Sequence, residues 1–193
     1  MRGGRWGVRE VNEPRATRRT GVVCGLILLA TSCRSSVPAS DAPASVSTSD
    51  ADSVVLERTM CFGTCPAYRL SVTRDGVVSF RSRNPGDTTA ATARVSPDAF
   101  TRLAAEAEPA GLFALPAKIL GDSVLCSRAR TDAPTVTTTL FAAGRVVSVA
   151  RYAGCARPDA ESPAAPLLRL RDYENRIDSV AGSARWVRPA SRR

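Results

Sequence analysis

Six cysteines and no histidine define the chemistry open to this 193-residue chain. Without imidazole, Ser-His-Asp and Cys-His nucleophiles are excluded. So are His-ligated zinc, copper and iron sites. Acid/base work near neutral pH would fall to a tuned carboxylate, a cysteine or a lysine. The cysteines divide by position. Cys24 lies in the apolar run Gly21–Ala30, Cys33 follows Leu29-Ala30-Thr31-Ser32, and Cys61, Cys65, Cys126 and Cys155 lie further on. Cys61 and Cys65 have three residues between them, with Pro66 after them and Met60 before them. Thiolates and a thioether so placed suit soft Cu(I) or disulfide exchange.

The compartment decides which of these chemistries matters. Among residues 1–33, six arginines outweigh Glu10 and Glu13, and the apolar run and small residues come next. A basic start, a short apolar run and a small-residue cut site make a secretory signal. The run is too short to span a bilayer, which takes about 20 residues. Leu29-Ala30-Thr31-Ser32-Cys33 resembles a lipobox, with Ala30 where bacterial lipoproteins more often carry Leu. That resemblance implies cleavage before Cys33 and its lipidation, anchoring the protein to the membrane. We therefore expect residues 1–32 to be a lipoprotein signal peptide. The address is the cell envelope, facing the periplasm or exterior, and the outer membrane where a cell has two. Residues 33–53 follow as the lipidated Cys33 and a Ser-, Ala-, Pro- and Asp-rich linker unable to bury enough surface to fold. Such a linker holds the domain on average about 25 Å from the membrane.

A single domain is expected over residues 54–187, with a basic tail at 188–193. Val54–Arg58 reads as a strand. Tyr68, Leu70 and Val72 alternate with polar residues, Asp75-Gly76 signals a hairpin, and Val77–Ser82 returns as its partner. Thr88–Val95 reads as a weaker strand. Ser96-Pro97-Asp98 starts a helix, with Phe100, Leu103, Ala104 and Ala107 on one face and Pro109 and Gly111 at its end. Residues 116–134 read as irregular. Thr135–Phe141 and Arg145–Tyr152 form a second hairpin around Gly144. Leu167, Leu170, Tyr173, Ile177 and Val180 make an apolar stripe on a helix over 166–181, closed by Gly182. Trp186-Val187 are expected to dock back on the sheet. The resulting fold class is α+β: a small antiparallel sheet built from two hairpins, with two helices packed on one face.

Four cysteines in the domain allow three disulfide connectivities. Cys61-Phe62-Gly63-Thr64-Cys65-Pro66-Ala67-Tyr68, with Asp75-Gly76 and Thr131-Asp132-Ala133-Pro134-Thr135, resembles a bacterial domain-of-unknown-function family. Its mark is C-F-G-T-C-P-x-Y, and its members are mostly small envelope or lipoprotein-type proteins. The resemblance covers about residues 54–155 and implies no activity. Because the mark holds only the first cysteine pair, it implies Cys61–Cys65 and Cys126–Cys155 as the bridges. Cys61-x-x-x-Cys65-Pro66 is also similar to the motif of thioredoxin-like copper-delivery proteins, but those need a distal histidine and a βαβ pattern that this chain lacks.

The remaining candidates have plainer roles. Asp75 and Asp132 are turn residues, Glu106 and Glu108 lie on an exposed helix face, and Ser127 and Thr131 have no base to activate them. Lys118, the one lysine, stands alone. The formal charge of +9 is carried by arginines without interleaved aromatics, so it describes a solvated basic surface and no nucleic-acid partner. No phosphate loop, dinucleotide motif or calcium loop is present. We expect a non-enzymatic envelope lipoprotein without cofactor that binds an envelope protein partner. The alternative is a periplasmic thiol-disulfide or Cu(I)-handling protein using Cys61 and Cys65.

Overall fold

A computed structural model describes residues 46–120, 124–156, 162 and 164–188. Among these residues four strands and a helix are followed by three strands and a second helix: β1 (Ala51–Arg58), β2 (Tyr68–Thr73), β3 (Val77–Ser82), β4 (Ala90–Arg94), α1 (Pro97–Ala105), β5 (Lys118–Ile119), β6 (Thr135–Ala142), β7 (Arg145–Tyr152) and α2 (Pro166–Ala181). They form one sheet in the order β4-β3-β2-β1-β6-β7-β5. All pairings are antiparallel except β5 with β7, so the sheet is mixed.

This corrects the expected small sheet of two hairpins. The two hairpins exist, but they are not the architecture. β1 lies between them and pairs with β2 on one side (Leu56 opposite Leu70) and with β6 on the other (Val54 opposite Leu140). It makes one continuous sheet of two otherwise separate units. β4 extends one edge and the two-residue β5 the other. β5 falls inside the stretch read as irregular, because two residues carry no periodic signal.

Period-2 alternation sets which face is buried. Val54 and Leu56 of β1 join Leu70, Val72, Val78, Phe80, Val136, Leu140 and Val149 in the core. The helices cover this face. Ser96 caps α1, its hydroxyl accepting from the Ala99 amide at 3.1 Å, and Phe100, Leu103 and Ala104 point inward. α1 ends at Ala105, earlier than Pro109, and the chain continues in turns that still bury Ala107, Ala110 and Leu112. α2 runs over the expected 166–181 and buries Leu167, Leu170, Tyr173 and Ile177, ending at Gly182 in the left-handed conformation. Trp186 returns to the sheet, its ring 5.5 Å from that of Phe80. The opposite sheet face carries Ser71, Ser79, Thr92, Thr139 and Ser148 around Val55.

Regular structure is present ahead of Val54. Ser47 caps a short helical turn at Thr48–Asp50, and Ala51 is buried as β1 starts. These residues fall in the stretch read as linker. The segment expected to be a signal peptide, Cys33, the first part of the expected linker and residues 189–193 of the expected tail lie outside the described residues.

Two buried hydroxyls, those of Thr138 and Tyr173, have no hydrogen-bond partner among the described residues. Thr138 faces the core between Leu56 and Val149. Burying an unpaired hydroxyl is costly. Thr138→Val is expected to raise unfolding stability by about 1 kcal/mol, read from the urea midpoint at constant slope.

Candidate functional site

The residues singled out from the sequence do not converge on one site. Cys61 and Cys65 are joined by a disulfide in the loop between β1 and β2. Phe62 at its tip is 89% exposed and Met60 is also exposed. Backbone bonds hold the ends of this loop, from the Thr59 amide to the Thr135 carbonyl at 3.0 Å and from the Arg83 amide to the Ala67 carbonyl at 2.8 Å, and the Phe62 amide near its tip donates to the Asp132 carbonyl at 3.3 Å. Cys126 and Cys155 form the second disulfide. The hydroxyl of Thr73 donates to the Asp75 carboxylate in the β2–β3 turn, holding that carboxyl below its usual range. Asp132 adopts a left-handed turn conformation (φ 62°). Glu106 meets Arg176 at 3.4 Å. Glu108, Lys118, Ser127 and Thr131 are exposed. Among the described residues, no three His, Cys, Asp or Glu side chains gather where they could hold a metal.

The charged side chains that do converge lie where the core face runs out against α2. Along β7 the inward positions are Val147, Val149 and Arg151, so the third places a guanidinium in the interior. Arg58, the last residue of β1, lies beside Tyr68 in the same row. Helix α2 answers both. Spacing of i, i+3, i+4 and i+7 puts Arg171, Glu174, Asn175 and Asp178 on one side of it. Glu174 receives Arg151 through two hydrogen bonds, one of 3.1 Å from Nε, with side chains 1% and 5% exposed. Asp178 receives Arg58 Nη2 at 2.9 Å, the Tyr68 hydroxyl at 2.7 Å and the Ser183 hydroxyl at 2.6 Å. Burial holds the Tyr68 hydroxyl well above the ordinary phenol value of 10.0, with the Asp178 charge adding to the effect.

A third wall comes from residues 128–130. Ala129 bridges to Cys155 in antiparallel fashion, the Arg130 amide donating to the Gly154 carbonyl and the Ala156 amide to the Arg128 carbonyl, both at 2.8 Å. The Cys126–Cys155 disulfide clamps the same segment. Gly154 permits this approach, since a Cβ there would fall 2.4 Å from the Arg130 carbonyl oxygen. The Tyr152 hydroxyl donates to that carbonyl at 2.9 Å and accepts from the Ala133 amide at 3.0 Å.

Together these walls enclose an open cleft of about 570 Å³, lined by Arg58, Arg128, Arg130, Arg151, Arg171 and Glu174 among others. Sequence reasoning missed it. The signal was there in two places: an arginine at an inward strand position, and a glutamate beside the apolar stripe of α2. Arg58 and Arg69, which flank the cysteine loop in sequence, are both paired with carboxylates, Arg58 with Asp178 at 2.9 Å and Arg69 with Glu57 at 2.8 Å.

The layering and the arginine cleft define a two-layer α+β domain with a basic groove between sheet and helix. The chain belongs to the family described as domain of unknown function DUF6438, whose model matches residues 52–171, from β1 into α2. A search of curated proteins found no match.

Two outcomes test this geometry. Glu174→Gln leaves the buried Arg151 charge uncompensated and is expected to cost about 3–5 kcal/mol. The double change Arg151→Met with Glu174→Leu is expected to recover most of that loss, with both read by urea denaturation. Tyr68 and Tyr173, the latter also raised by burial, keep their protons in the folded state beyond the pH where the unfolded chain releases them. Their contribution is complete below about pH 10 and lost as pH rises above it. Stability against urea should therefore fall through the alkaline range, and two tyrosines should resist ionisation in ultraviolet titration until the protein unfolds.

Proposed function

We propose that this protein is a lipid-anchored lipoprotein of the bacterial cell envelope, held to the membrane through Cys33, whose domain acts by binding rather than by catalysis. The observation that carries the reading is the pairing of a lipobox-like Leu29–Cys33 with a domain whose four cysteines are all in disulfides. Such bonds persist in oxidising compartments and are rare in the cytosol. The Cys126–Cys155 bridge closes a loop of 29 residues, which in the chain-entropy model stabilises by roughly 3–4 kcal/mol. The protein partner of such a domain would be another envelope component.

Thiol-disulfide or Cu(I) handling by Cys61 and Cys65 has less support. Reactive Cys pairs sit at helix N-termini or beside cations, where a thiolate is stabilised. Here Cys65 leads into strand β2, and the nearby arginines are paired with carboxylates.

Palmitate labelling with and without globomycin tests the anchor. Label at Cys33 is expected, together with accumulation of the unprocessed form under the inhibitor and loss of label in Cys33→Ser. An unlabelled, full-length protein in the soluble fraction overturns the reading. A thiol count on the native protein should find none of the four domain cysteines free, and glutathione should not open the Cys61–Cys65 bond. A labile bond, or stoichiometric Cu(I) uptake after reduction, would put the thiol reading in its place.

A further inference from the structure

The cleft between sheet and α2 is built with more positive charge than it uses. Among the described residues five guanidiniums line it, against Glu174 as the one lining carboxylate. Two of the five are already answered, Arg151 by Glu174 and Arg58 by Asp178 from just beyond the lining. Arg128, Arg130 and Arg171 are not: none has an ion pair or side-chain hydrogen bond among the described residues. Their backbones are nonetheless fixed. Arg128 and Arg130 flank Ala129, which bridges to Cys155, and both line the cleft. That segment is pinned by the Ala129–Cys155 bridge, the adjacent disulfide and the Tyr152 hydroxyl. Arg171 projects from α2 on the side that Glu174 and Asp178 lock against the sheet. Three guanidiniums without an ion pair among the described residues are thus carried on rigid supports around one concavity, and Glu174 and Asp178 beneath it are already occupied by Arg151 and Arg58.

We propose that this cleft is a binding site for a phosphate group, held by Arg128, Arg130 and Arg171. A guanidinium is a planar fork that matches the oxygens of an oxyanion and stays charged at every physiological pH. Three such forks suit a group with three acceptor oxygens and up to two negative charges better than a single carboxylate. Asn175, one turn beyond Arg171 and also lining the cleft, adds an amide donor. The buried pairs Arg151–Glu174 and Arg58–Asp178 position the walls and do not bind the ligand. The phosphate has two possible sources, a free soluble phosphate compound or the headgroup of an anionic phospholipid.

The site needs only the folded domain, so this proposal and the envelope assignment fail separately. The full chain is purified in neutral detergent, or from the soluble fraction if the labelling result is negative. It is titrated at low ionic strength with inorganic phosphate and with diphosphate, by calorimetry. It is also sedimented with phosphatidylglycerol and with phosphatidylcholine vesicles. Saturable binding of a soluble phosphate is expected, weakened on the order of tenfold by each of Arg128→Gln, Arg130→Gln and Arg171→Gln. The exposed Arg94→Gln and Arg102→Gln, outside the cleft, should bind as the parent does. Binding only to phosphatidylglycerol vesicles, with the same dependence on the three arginines, assigns the site to a lipid headgroup. Absence of both, or binding that the three cleft substitutions leave unchanged or that Arg94→Gln and Arg102→Gln weaken just as much, overturns the proposal. Because all three arginines are at least partly exposed and unpaired, their variants should keep the parent's melting temperature, which is measured alongside.

Discussion

The structure depends on one strand holding two neighbours at once. β1 shares its hydrogen bonds between β2 and β6, and only through it do the hairpin β2–β3 and the hairpin β6–β7 belong to the same sheet. A two-stranded hairpin has too little apolar face to be stable by itself. Joined through Val54 and Leu56, the two units present a face broad enough for both helices, and the core runs without a break from Phe80 to Val149. α2 contacts β1 and β2, so its placement also rests on this joint.

At one end of that face the apolar rows stop and a polar row takes over. Tyr68, Arg58 and Arg151 occupy inward positions there, and α2 meets them with Asp178 and Glu174. A buried ion pair contributes little net stability, because desolvation offsets attraction, but it penalises any arrangement that separates its members. Its effect here is to select one rotation and one height of α2 over the sheet. That selection places Arg171 opposite Arg128 and Arg130 across the cleft. The Cys126–Cys155 disulfide does for the third wall what the ion pairs do for the helix.

Much of the local structure was legible in the residues. The hairpin turn at Asp75-Gly76, the start of α1 at Ser96-Pro97, and the extent of α2 follow from short-range rules and stand where they were expected. The assembly was not legible. Nothing in the alternation of Val54 and Leu56 says that β1 has a partner on each side, because pairing depends on chain brought from far away. β5 is too short for any period to register. The cysteine pattern pointed to the bridges once the family motif was recognised, whereas the cleft stayed hidden because its arginines come from β1, the segment around Ala129, β7 and α2. In a chain whose basic residues are almost all arginine, each of them reads as surface until the fold shows which share a cavity.

The central position of β1 has a consequence for how the polypeptide acquires its shape. Val54 and Leu140, its partner on β6, are 86 positions apart. Contacts so distant in sequence slow folding, since the entropy of closing the loop is spent before any contact repays it. A ribosome completes β1 long before β6 exists. Until then the β1–β2–β3 meander carries an open flank along its most apolar strand, the kind of edge that recruits other chains. The nascent protein therefore passes through a stage in which shielding that flank, by a chaperone or by speed, decides between a finished sheet and an aggregate.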